Sequence, residues 1–199
     1  MSILPDGQEI PSSSGGKYLN KFSEGQTRFR ILESPVTPFV EAWKSTEDSR
    51  KPVRVRVGKD GLQKALEQIK EIGYDETDKF GEQKPRYLWA CKVYHYNNPA
   101  KASDGGEVKI LSFHQKNIMN TLESNSQTED WSDVTSYDII VSREGSDMSS
   151  KYAVTNCVPK PLPKEAEEAI KEEKVDWDKY IASDDPWVSS GDGDQEMPF

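Results

Sequence analysis

The chain has 199 residues, 34% of them hydrophobic and 31% charged, with a formal net charge of -9 and a mean hydropathy of -0.83. That length fits one domain plus extensions. The sequence has no apolar run near the ~20 residues of a membrane span and no basic and apolar leader of the secretory kind. The expectation is a cytoplasmic protein that does not cross a membrane.

The charge is unevenly spread. Residues 164–199 hold twelve acids and four bases, and residues 1–16 hold two acids and no base. Residues 17–163 therefore carry 22 bases against 21 acids. The acidity belongs to the ends, so a low overall pI does not exclude a nucleic-acid site in the body.

Residues 1–16, rich in Ser, Gly and Pro, are expected to form a mobile arm. Alternation predicts a strand over 27–33, with Phe29 and Ile31 on one side and Arg28 and Arg30 on the other. Ser34-Pro35 interrupts it, and a strand resumes over 39–44, ending on Trp43 and Lys44. Residues 50–59 contain five bases and no acid, and Val53, Val55 and Val57 alternate with Arg54 and Arg56. That pattern predicts a half-buried strand with a cationic outer face.

Leu62, Leu66 and Ile69 form an apolar stripe with Ala65, which predicts a helix over 61–73 stopped at Gly73. Residues 86–97, RYLWACKVYHYN, are the longest strand-like run. Tyr87, Trp89, Cys91, Val93 and His95 fall on one side, suited to a core. Arg86, Leu88, Ala90, Lys92, Tyr94 and Tyr96 fall on the other. Cations interleaved with rings suit a surface that neutralises phosphates and stacks bases.

A hairpin loop over 97–106, a strand over 107–113, a helix over 115–122, an acidic loop over 124–133 and strands over 134–143 and 151–158 complete the body. Prolines 159, 161 and 163 stop further pairing. Residues 164–174 predict a solvated charged helix, residues 175–181 a loosely docked segment, and residues 183–199 an unpacked acidic tail. Strand, strand, helix, strand, strand, helix, strand, strand is mostly antiparallel. The fold expected is mainly β, an OB-type Greek-key barrel over 17–160 with two inserted helices, a charged helical extension over 161–182 and disordered termini.

With these segments, the chain resembles a phage-type single-stranded DNA-binding protein. Residues 18–160 look like its OB-fold core, through YLNKFSEGQTRFRIL, YLWACKVYHY, VKILSF, YDIIVSREG and KYAV. Residues 183–199, SDDPWVSSGDGDQEMPF, are similar to the acidic tails of such proteins, which often end in Pro-Phe. The resemblance implies that the tail competes with DNA for the groove and recruits replication, recombination or repair proteins. The tail residues concerned are Asp184, Asp185, Asp192, Asp194, Glu196, Pro198 and Phe199. Here the acids are spread out rather than contiguous. T4-type relatives carry a structural zinc, but this sequence has no C-x-x-C and two His, so zinc is not carried over.

The candidate nucleic-acid contacts are Arg28, Arg30, Lys44, Arg54, Arg56, Arg86, Lys92, Tyr94 and Tyr96. Trp43 suits core packing or stacking, Trp89 the core, and Trp131 packing on the barrel. Cys91 and Cys157 read as buried free thiols of a reducing compartment. They join His95 and His114 in a metal set only if the fold gathers all four. No cofactor is expected, and no P-loop, H-E-x-x-H or G-x-S-x-G is present. The expected function is non-enzymatic, non-sequence-specific single-strand binding. Two other classes stay open: a protein-binding β-barrel adaptor without nucleic-acid affinity, and a metal-dependent hydrolase or nuclease using acids such as Asp133 and Asp138.

Overall fold

The computed structural model describes residues 16–47, 49–78, 81–145 and 149–189. Its centre is one eight-stranded sheet. The main strands are β2 (Gly25–Ile31), β3 (Thr37–Ser45), β4 (Arg50–Arg56), β7 (Arg86–Tyr96), β8 (Gly106–Phe113), β9 (Ile139–Glu144) and β10 (Lys151–Asn156), while β5 (Thr77–Asp78) and β6 (Gly81–Glu82) pair as a separate ribbon. A short β1 (Tyr18–Leu19) runs parallel to β8, and every other pairing is antiparallel.

Strand β7 organises the sheet. One edge pairs with β8 from Trp89 to Tyr96. The other edge is shared: Val93–His95 pair with β2, and Arg86–Ala90 with β3. Ser34-Pro35 lies in the break between these two partners, as the sequence predicted. One long strand feeding two partners along the same edge makes the sheet diverge there. One arm continues from β2 to β9 and β10, and the other from β3 to β4. Among the described residues the pairings close no ring, and β1, β4 and β10 each have one unpaired edge. The mainly β class is therefore seen, without a closed OB barrel.

The period-two reading of β7 describes its two faces well. Cys91 and Val93 are buried with Phe22, Phe29, Ile31, Leu111, Phe113, Tyr137, Ile139 and Val141, and Tyr87 and Trp89 pack at the margin. Helix α2 (Lys116–Ser126) closes this core with Ile118, Met119 and Leu122. Trp131 packs edge-on against Tyr137 at 4.9 Å. Helix α1 (Gly61–Ile72) lays Ala65 and Ile69 on Val40, Ala42 and Val55, and Gly73 ends it at φ 82°. That left-handed backbone suits glycine, which has no Cβ to clash. Tyr137 and Asp138, expected in a strand, precede β9 instead.

The C-terminal part departs most from expectation. Helix α3 (Lys164–Glu172), strand β11 (Glu173–Val175), helix α4 (Trp177–Ala182) and strand β12 (Trp187–Ser189) form a packed layer rather than a solvated extension. Ala166 of α3 is buried against Tyr94, Tyr96 and Val108. Tyr180 of α4 is buried against Phe39, Leu88, Ala90 and Ile110. Trp187 packs against both groups. The charged positions of α3 hid a narrow apolar stripe: Ala166, Ala169 and Ile170 recur at helical spacing. Residues 183–189, placed in an unpacked tail by composition, instead make the turn and strand that finish this layer. Residues 1–15 of the expected arm and residues 190–199 of the expected tail lie outside the described residues.

Candidate nucleic-acid interface

The pleat places Phe39, Glu41 and Trp43 of β3, Arg54 and Arg56 of β4 and the even-numbered residues of β7 on one continuous face. Arg54, Arg56, Arg86, Lys92, Tyr94 and Tyr96 of the candidate set therefore share one side of the sheet. Most of that face is covered. Tyr94 is 2% exposed and Tyr96 1%, their rings meeting edge-to-face at 5.1 Å beneath α3. Neither tyrosine is an open stacking platform, because the ring-bearing wall is apolar enough to seat the chain's own C-terminal layer.

The cations of this face follow the same logic. Lys92 is buried and donates to the Ile170 carbonyl at 3.2 Å. Burial pushes its ammonium pKa down. Arg54 donates to the Tyr180 carbonyl at 2.8 Å and to Glu41 at 2.8 Å, with its guanidinium 4.2 Å from the Tyr180 ring centroid. Arg56 pairs with Asp178 at 3.0 Å on the surface. Lys44 points to the opposite face, where its Nζ donates to the Ile72 carbonyl at the end of α1. It is a helix-end contact, and is corrected from the candidate set.

Arg28 and Arg30 are also corrected. Both converge on Asp138, which is fully buried. Arg28 Nε donates to Oδ2 at 3.0 Å, and Arg30 Nε donates to Oδ1 at 2.7 Å. The Tyr96 hydroxyl donates to Oδ1 at 2.9 Å, and Arg30 Nη1 donates to the Lys160 carbonyl at 2.7 Å. Burial alone would raise the Asp138 pKa, but these donors outweigh it and hold the carboxyl below its usual range. Burial and the adjacent carboxylate push the Tyr96 hydroxyl up. The set is an internal ion cluster. It also occupies the oxygens that a metal at Asp138 would need, while Asp133 caps Thr135 on the surface. Among the described residues no group of three or more His, Cys, Asp or Glu is placed to hold a metal ion. Cys91 is buried, and burial raises its thiol pKa.

What stays open is the head of β7. A cleft of about 650 Å³ lies there, bounded by the β3–β4 hairpin, the segment leading into β7, and the ends of β1 and β8. Arg50, Arg54, Lys84 and Arg86 line it against two carboxylates, Glu41 and Glu82. Arg86 is exposed and has no ion pair among the described residues. His114 stands at the rim, its pKa lowered by burial and by the Arg86 charge. Trp43, 40% exposed, belongs to none of the buried clusters. The Arg50 guanidinium lies 5.8 Å from its ring centroid.

Of the predicted residues, the cleft gathers Arg54 and Arg86. It adds Trp43, whose role the sequence left open, together with Arg50, Lys84 and His114. The cationic run over 50–59 signalled Arg50. Nothing local signalled Lys84 or His114, which reach the cleft through long-range pairing. Asp184 and Asp185 are exposed at the turn into β12, where Asp185 accepts from the Trp187 amide at 3.1 Å. Asp192, Asp194, Glu196, Pro198 and Phe199 lie outside the described residues. No helix among the described residues is long and apolar enough to cross a membrane. No protein-family model matches this chain, and no curated protein matches it.

Proposed function

We propose that this chain is a non-enzymatic, non-sequence-specific single-stranded DNA-binding protein of replication, recombination or repair. The supporting observation is the open cleft at the head of β7, where four cations share the lining with an exposed indole and outnumber the carboxylates. Cations along a groove neutralise a phosphate backbone, and an exposed ring accepts a base of any sequence. A duplex keeps its bases stacked inside, so only an unpaired strand offers both groups at once. The acidic C-terminal residues act as a tethered competitor for the cleft and as a bait for partner proteins.

Gel shift of the full chain with labelled oligo-dT and with a duplex of the same length tests this reading. Retention of the single strand, weakening steeply with salt, is the expected result. No shift at low salt overturns it in favour of a protein-binding adaptor.

A further inference from the structure

Strand β7 starts at Arg86, which pairs with Glu41 of β3. Trp43, two residues beyond Glu41, therefore has no β7 residue beside it. Its backbone edge is met by the Gln83 side chain, with the Asp75 amide also donating to the Trp43 carbonyl at 2.9 Å. Gln83 Oε1 accepts from the Trp43 amide at 3.0 Å, and Gln83 Nε2 donates to the Trp43 carbonyl at 3.0 Å. A primary amide carries the same donor and acceptor as a peptide group, so Gln83 extends the ladder beyond the end of β7. The same side chain reaches further in both directions. Oε1 also accepts from Arg50 Nη2 at 3.2 Å, and Nε2 also donates to the Asp75 carbonyl. Asp75 in turn accepts from the Ser45 amide at 2.9 Å.

Three independent features meet at this point. The indole is exposed on the cleft side of the sheet, beyond the reach of the layer that covers Phe39 on the same face. A guanidinium lies beside the ring and lines the same cleft. One amide fixes both the backbone that carries the ring and the guanidinium itself. With its backbone anchored, the residue has only side-chain freedom to lose when a base settles on the ring.

We propose that Trp43 and Arg50 form a nucleobase-stacking subsite for an unpaired strand, with Gln83 as its positioning residue. This rests on the reading of the cleft as a single-strand site. Trp43 supplies the π-face, Arg50 supplies charge for the adjoining phosphate, and Gln83, also in the cleft lining, sets their relation.

Binding of labelled oligo-dT to the full chain and its variants, by fluorescence anisotropy, tests the subsite. Trp43→Ala is expected to weaken binding roughly five- to a hundredfold, the range that loss of one stacked base spans, with Trp43→Phe retaining most of the affinity. Gln83→Ala is expected to weaken binding about five- to tenfold in the parent background, and less than about twofold when Trp43 is already Ala. Hydrogen exchange supplies a readout independent of DNA, because the Trp43 amide should exchange faster in Gln83→Ala.

If the parent binds oligo-dT and Trp43→Ala binds equally well, the subsite is overturned while the function stands. If the Gln83→Ala and Trp43→Ala losses multiply fully, Gln83 does not act through Trp43. If the parent itself fails to bind, the functional reading falls, and the subsite with it.

Discussion

Neutralising Asp138 leaves two buried guanidiniums without their counter-charge. Asp138→Asn should therefore cost about 3–5 kcal/mol, the range for breaking a buried ion pair by removing one partner, as read from urea unfolding. The pH dependence has a definite sign. The folded-state pKa of Asp138 is depressed. Its contribution is fully present above the unfolded carboxyl value of about 3.9 and is lost as pH falls below that through the folded value. The Asn variant should show a flatter acid limb. Arg86→Ala should behave differently, with unchanged stability, weaker oligo-dT binding and a salt slope shallower by about 1. At His114, burial and Arg86 lower the free-state pKa. An approaching phosphate would raise it, so binding takes up a proton. Oligo-dT affinity should then rise as pH falls towards the lowered free-state value, and His114→Gln should remove that rise.

The C-terminal layer determines where truncations act. Removing residues 190–199 leaves β12 intact, so the thermal midpoint should hold. Oligo-dT binding at low salt should tighten as a tethered polyanion is lost; unchanged affinity would remove the competitor role. Removing residues 183–199 is a different experiment, because it deletes Trp187 and the pairing of β11 with β12. Removing residues 161–199 uncovers Phe39, Leu88, Ile110 and Tyr94 together. A contiguous apolar face of that kind promotes association, so light scattering should rise. Tyr180→Ala should cost about 3–5 kcal/mol, as for other buried aromatics cut to Ala.

Across the molecule, the acidic ends and the nearly neutral body remain the organising contrast. The structure redistributes its parts. Part of the acidic C-terminal segment is a fixed layer that uses Asp178 and Glu173 to pair with Arg56 and Lys17 of the body. Cations that a charge count assigns to DNA are thus already matched inside the chain. A surplus of cations over carboxylates lines the cleft at the head of β7, and the proposed function would confine strand contact to that cleft. Full-length protein should therefore cover a short site, and stoichiometric titration with oligo-dT of increasing length measures its size.

Period-two alternation was enough to assign the faces of β2, β4 and β7, since neighbouring side chains on a strand must point oppositely. Composition was enough to separate an acidic end from a balanced body. Neither says what lies over an exposed-looking face. Arg28 and Arg30 carried the same pattern as a solvated cationic strand, and Asp138, more than a hundred residues away, made them internal. Tyr94 and Tyr96 read as stacking rings until Ala166 and its helix closed over them. Gln83 had no local signature at all, because its role is to stand in for a strand that begins three residues too late. Backbone alternation is a local constraint and so is written in the chain. Coverage and charge pairing depend on segments far apart in sequence, and are settled only when those segments pack.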